Sequence, residues 1–248
     1  MNLNSIKTSL VKPKDDLFLL IKRSIKSIPE NSVLAITSKI FSYSQNRLVK
    51  KITAEKSEKH NLVRQEADFY LDPSLSQYDT MLTIKNNILA VNAGIDESNA
   101  ANFYLLWPKN LQSATNQLWI KLRRYYQLKN FGLIITDSKT TPLKWGVTGT
   151  CIAHCGFAAL NDYRGRPDLF GRKMKMTQVN VAEALAVVAV YEMGETNQST
   201  PLCLIQSIPF IKFSSQPPTK KELFSLKISL EDDVYAPLLT SVSWKNTR

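Results

Sequence analysis

Residues 131–138 read FGLIITDS: an apolar run with two isoleucines, followed at once by a carboxylate and a hydroxyl. A run this short and uninterrupted suits a strand covered on both faces, and it places Asp137 and Ser138 at the strand's carboxyl end, entering a polar loop. Ser32–Thr37, SVLAIT, has the same character and leads into a polar stretch read as a loop from Ser38 to Asn46. A third strand is expected at Leu202–Gln206. Around these strands the apolar spacing turns helical. Asp15 is placed to cap a helix carrying Leu17, Leu20, Ile21, Ile25 and Ile28 on one stripe, ended by Pro29. Ser113 is placed to cap a second helix, with Leu118, Leu122, Tyr125 and Tyr126 on one face. Asn180 caps a third that runs to Tyr191, with Gly194 as its stop. Asn86-Asn87 between Met81–Ile84 and Ile88–Val91 predicts a hairpin. Mixed alternation without a regular strand-helix-strand period gives an α+β class: one domain over residues 1–248, or two closely joined lobes.

Composition narrows the function classes. With 44% hydrophobic and 21% charged residues among 248, the chain has the makings of a sizeable core and is no disordered polyelectrolyte. The longest apolar candidate, Ala182–Tyr191, is interrupted by Glu183 and is too short for a membrane span. The run Leu17–Ile21 is too short for a signal-peptide core, so a cytoplasmic location is expected. Three cysteines, Cys151, Cys155 and Cys203, cannot all pair within one chain and read as reduced, buried thiols. If their segment is extended, Cys151 and Cys155 share one face and His154 points to the other, so the three do not converge on zinc. The net charge of +11 favours anionic partners in general. Its basic residues are dispersed, which singles out no nucleic-acid surface.

Four segments carry polar chemistry. VNAGIDESN at 91–99 puts Asp96, Ser98 and Asn99 on a turn past a strand; Asp96 suits a hard cation, and an Asx turn is the plain alternative. Asp137 and Ser138 suit a metal and its phosphate, or merely cap a turn. NDYRGRPDLFGRKMKMT at 161–177 sets Arg164 and Arg166 among glycines, as an anion site or a solvated loop of ion pairs. YEMGETNQST at 191–200 offers Glu192 and Glu195 at a helix end, where polar residues are common in any case.

In order along the chain, PKDDL, AITSKIFS, VNAGIDESN, IITDS, GVTGTCIAHCGF, DYRGRPDLFGR, EMGE and the acidic Glu231-Asp232-Asp233 resemble the γ-glutamyl ligases that complete coenzyme F-420. The match is poorest between Arg47 and Leu82. The resemblance implies an α+β fold of mixed sheets and packed helices assembled as an intertwined homodimer. It further implies an enzyme that uses GTP with Mg2+ or Mn2+, sometimes helped by K+, to join L-glutamate to a carboxylate acceptor. By the same resemblance Thr8, Ser9, Leu10, Val11, Ser38, Lys39, Asn99 and the segment from Met193 to Thr200, with Gly194, Thr196 and Asn197, would line the nucleotide site. Asp96, Asp137, Ser138 and Glu195 would hold metal; no general base is indicated. Departures alter parts of the phosphate or acceptor site: Ser138-Lys139-Thr140-Thr141 lacks the arginine common there, Tyr43 replaces a lysine, and Glu183 is followed by Ala184 where paired acids are usual. These favour a changed substrate over a lost activity, and those at 139–141 bring in a folate as acceptor beside the F-420 precursor. A noncatalytic nucleotide- or nucleic-acid-binding protein is the reading from another class.

Overall fold

The computed structural model describes residues 1–246. In chain order the elements are β1 (Asn2–Ile6), α1 (Leu17–Ser24), β2 (Ser32–Thr37), α2 (Ser38–Ser44), β3 (Leu48–Lys50), α3 (Lys56–Glu66), β4 (Phe69–Tyr70), β5 (Leu82–Lys85), β6 (Ile88–Val91) and β7 (Phe103–Leu105). They continue as α4 (Leu111–Tyr125), β8 (Phe131–Thr140), β9 (Val147–Cys155), β10 (Leu160–Asp162), β11 (Gln178–Asn180), α5 (Val181–Met193), β12 (Leu202–Gln206), α6 (Lys220–Phe224), α7 (Ala236–Leu239) and β13 (Lys245–Asn246). The class is α+β with mixed sheets, as the sequence indicates.

The main sheet has five strands in the order β1-β12-β2-β8-β9. Its only parallel pair is β2 with β8, in register from Ser32 opposite Phe131 to Thr37 opposite Thr136. Helices cover both faces, which is why these central strands are apolar throughout and do not alternate. On one face α1 and α4 pack Ile21, Trp119 and Leu122 against Leu34, Ile36, Leu133 and Ile135. On the other, α5 lays Leu185, Ala186 and Ala189 over Val33, Ala35, Ile134 and Ile205. A smaller core gathers Val63, Met81, Ala93, Ile95, Tyr104 and Leu106 beneath a second sheet, β13-β4-β5-β6. In that sheet Asn86 and Asn87 both take positive φ, 53° and 66°, as a two-residue hairpin turn requires.

Several local expectations are corrected. The first helix is capped by Asp16, whose carboxylate accepts from the Leu19 amide, while Asp15 accepts from the Lys12 amide. It ends at Ser24, before Pro29, with Ile25 already extended. The fourth helix begins after Asn110, in the left-handed region at φ 48°, two residues before Ser113. Ser38–Ser44 is helical because Ile40 and Phe41 bury one side of it. Asp137 and Ser138 are not in a loop: β8 runs on to Thr140, paired opposite Thr150 and Gly149 of β9. A bulge at Ile152 breaks the alternation of β9, since Ile135 pairs with Ala153 and Thr136 with Cys151. Cys151 therefore packs on the α5 face and Cys155 in the opposite core, so the two thiols do not share a face. All three thiols are free, and burial raises each, to about 12 for Cys155 and about 11 for Cys203.

Candidate functional site

The carboxyl ends of β2 and β8 lie side by side, and a crevice beyond such ends is a common ligand position in sheets with parallel strands. Beyond Thr37 the chain turns directly into α2, which presents Ser38 and Lys39; β8 presents Asp137 and Ser138. Three segments close around them. The loop at Thr8–Pro13 is tied down by the Thr8 amide donating to the Ser199 carbonyl at 3.1 Å. The segment after α5 is bent by Gly194 at φ 77° and held by the Thr200 hydroxyl on the Met193 carbonyl at 2.6 Å. The turn at 92–99 is joined to it by the Asn99 side chain, which donates to the Thr196 carbonyl at 3.0 Å. Together these walls enclose a cleft of ≈ 590 Å³, a size suited to a small-molecule ligand.

Thr8, Ser9, Leu10, Val11, Lys39, Asn99, Met193, Gly194, Thr196 and Asn197 all line this cleft, as do Asp137, Ser138 and Glu195. Ser38 sits behind the wall and hydrogen-bonds the Asp137 carboxylate. Asp96 also stands behind the lining, ion-paired to the Lys39 ammonium at 2.8 Å, and Lys39 donates to the Ser98 hydroxyl at 2.7 Å. The same carboxylate takes the Ser98 amide at 2.7 Å, so the Asx turn and the inward-facing acid are one structure. Arg164 and Arg166 line neither this cleft nor the larger cavity described below. Arg164 is engaged by Asp162 at 2.6 Å, and Arg166 lies over the Tyr163 ring.

The electrostatics single out Asp137. Burial raises its carboxyl to about 6; Trp107 and Ser38 pull in the other direction, and the neighbouring Asp96 charge adds to the rise. Burial also acts to raise Asp96, but Lys39 and the Ser98 amide outweigh it and hold that acid below its usual range. Glu195 accepts from the Ser138 hydroxyl at 3.2 Å. Among the described residues no three His, Cys, Asp or Glu side chains stand close enough to enclose an ion. An all-protein cage is therefore absent among them. Magnesium commonly needs only one or two carboxylates, with substrate phosphates and water completing its shell, and manganese shares its preference for hard oxygens. A buried carboxylate with a second acid beside it fits that role, because a cation would relieve both the burial and the residual repulsion.

Trp107 was not legible as part of this site. Its indole N–H donates to Asp137, and its ring fills the space over Gly94, where an added Cβ would fall 2.2 Å from ring atoms. Lys85 lies over the indole, and Arg47 donates to the Trp107 carbonyl at 3.0 Å. Glu66 binds both cations, at 2.8 Å to Arg47 and 2.7 Å to Lys85. These contacts run between residues distant in sequence, and part of the network comes from the stretch 47–82, where the family resemblance is poorest. No local spacing signals them.

Residues 5–207 match the family described as F420-0:Gamma-glutamyl ligase. Curated relatives named coenzyme F420:L-glutamate ligase include one from Methanococcus maripaludis, 29% identical over 95% of this chain and 97% of its own. One from Methanopyrus kandleri is 29% identical over 80% and 83%. One from Methanocaldococcus jannaschii is 34% identical over 51% of each chain. With that match spanning most of its length, the chain belongs to the F420-0:Gamma-glutamyl ligase family.

Proposed function

We propose that this protein is a γ-glutamyl ligase that consumes GTP, with Mg2+ or Mn2+ bound, to join L-glutamate to a carboxylate acceptor, the F-420 precursor or a folate. The observation that carries the reading is the convergence of Lys39, Asp137, Ser138 and Glu195 on one cleft at the ends of β2 and β8. Ten of the residues expected around the nucleotide, from Thr8 to Asn197, line the same cleft. In this reading an acceptor carboxylate oxygen attacks the γ-phosphorus, and the bond to the β,γ-bridging oxygen breaks with its electron pair leaving on GDP. The glutamate amine then attacks the acyl carbon; phosphate departs with one former carboxylate oxygen, and the amine's proton passes to solvent.

The divalent ion, when bound, neutralises phosphate charge. Asp137 and Glu195 would hold it, with Asp96 behind them and the Ser138 hydroxyl as a further oxygen donor. Lys39 has a mobile ammonium that can leave Asp96 for a phosphate oxygen. Trp107 fixes the orientation of the Asp137 carboxylate. K+ would add charge neutralisation of the same kind.

A homodimer is part of the proposal. Leu143 and Trp145 at the tip of the β8–β9 hairpin, and Leu169 and Phe170 in the loop between β10 and β11, are almost fully exposed, as suits two projections that embrace a second copy. Incubation of purified protein with glutamate, GTP, manganese and either acceptor is expected to give a product heavier by one or more glutamyl units. GTP binding without such a product from either acceptor would favour a noncatalytic nucleotide-binding role instead.

A further inference from the structure

A second cavity, larger than the nucleotide cleft at ≈ 980 Å³, lies beyond it along the same strand. Asp137 and Ser138 line the cleft, while Lys139 lines the cavity. Ser138 and Lys139 are consecutive residues of β8, so the cleft and the cavity adjoin along one strand. The walls combine an apolar surface from Leu89, Ile152 and Leu226 with two cations, Lys139 and Lys227. Among the described residues Lys227 has no ion-pair partner.

Lys139 is held loosely. Its ammonium is 3.3 Å from Glu183, and the side chain is about one-third exposed. Glu183 has other donors, the Thr150 hydroxyl at 2.9 Å and the Cys151 amide at 3.3 Å. Lys139 can therefore turn to an incoming carboxylate without leaving Glu183 unsatisfied. The occupant this chemistry selects has an apolar body and an anionic end.

We propose that this second cavity is the acceptor site, with Lys139 receiving the carboxylate to be extended and presenting it to the nucleotide cleft. The assignment rests on the ligase reading above and adds a place and a recognition residue to it. It also gives a physical sense to the departure at 138–141: a lysine one residue past Ser138, on the same strand, supplies a cation in a segment that lacks the arginine the resemblance implies.

The test is an equilibrium titration of full-length protein, without GTP or metal, with folate and with the deazaflavin F-420 precursor, followed by acceptor fluorescence. Wild type is expected to bind one of them. Lys139→Gln should weaken that binding about tenfold or more, as befits loss of a charged hydrogen bond, while Lys139→Arg retains most of it. Leu89→Trp, on an exposed wall position, should block the cavity. GTP binding should be unchanged in all three. Absence of binding of either probe to wild type overturns the assignment, as does unchanged acceptor binding in both Lys139→Gln and Leu89→Trp. Loss of GTP binding in step with acceptor binding overturns it too. The titration needs no turnover, so wild-type binding without ligation contradicts the ligase reading and supports the site. Ligation by both variants at unchanged acceptor KM contradicts the site alone.

Discussion

Asp137 is the residue on which the site is most exposed to test. With its carboxyl raised from 3.8 to about 6, the folded protein holds this proton more tightly than the unfolded chain does. Its ionisation therefore lowers stability as pH rises from about 4 through 6, and the loss persists above. In metal-free buffer Asp137→Asn, which keeps an oxygen for Trp107, is expected to be more stable than wild type at pH 7, by about 1–3 kcal/mol, and equal to it near pH 4. Thermal unfolding across that range checks it; a difference independent of pH would remove the burial argument. The same variant should lose ligation. Glu195 poses a separate question, because among the described residues its carboxylate is engaged only by the Ser138 hydroxyl. Glu195→Gln should raise the manganese concentration needed for half-maximal turnover several-fold. Glu192→Gln should not, since Glu192 accepts from Ser5 at 3.2 Å, outside the cleft lining. Equal manganese curves for the two variants would count against Glu195 as a ligand.

At the scale of elements, what the sequence revealed depended on how much of each segment's stability is local. The strands β2 and β12 were legible to the residue because their apolar runs are bounded by polar ones. Helix α5 was legible because Asn180 accepts from the Glu183 amide and Gly194 supplies the positive φ at its end. Asn180→Ala should lower stability by about 1 kcal/mol through loss of that cap, measured by denaturant unfolding; no change would mean the first turn is held instead by the Val181 and Ala182 amides donating to the Ala159 carbonyl. Helix α2 was missed because its serines and tyrosine are poor helix formers, and only the burial of Ile40 and Phe41 holds it. The polar half of β8 was missed for the converse reason: Asp137–Thr140 reads as loop, and pairing with β9 makes it a strand. That error concerned the site itself. A strand fixes Asp137, Ser138 and Lys139 more rigidly than a loop would, and it divides them between two cavities.

At the scale of the whole molecule, the cleft stands where the main sheet meets the smaller core, and both are needed to build it. The main sheet supplies Asp137 and Ser138; the turn at 92–99 and Trp107 come from beside the second sheet. This explains why acids distant in sequence were brought near one another, and why their partners could not be inferred from spacing. The projecting apolar tips at Leu143–Trp145 and Leu169–Phe170 predict a dimer by light scattering, and Trp145→Asp with Phe170→Asp should shift it towards monomer; a wild-type monomer at micromolar concentration would contradict that assembly. The central claim is narrower: the acceptor carboxylate is activated by phosphorylation from GTP. Its most direct test is a ligation with the acceptor's carboxylate enriched in heavy oxygen, followed by mass analysis of the released phosphate. The account predicts that one labelled oxygen appears in phosphate for each glutamate joined; amide product with no label in the phosphate would contradict it.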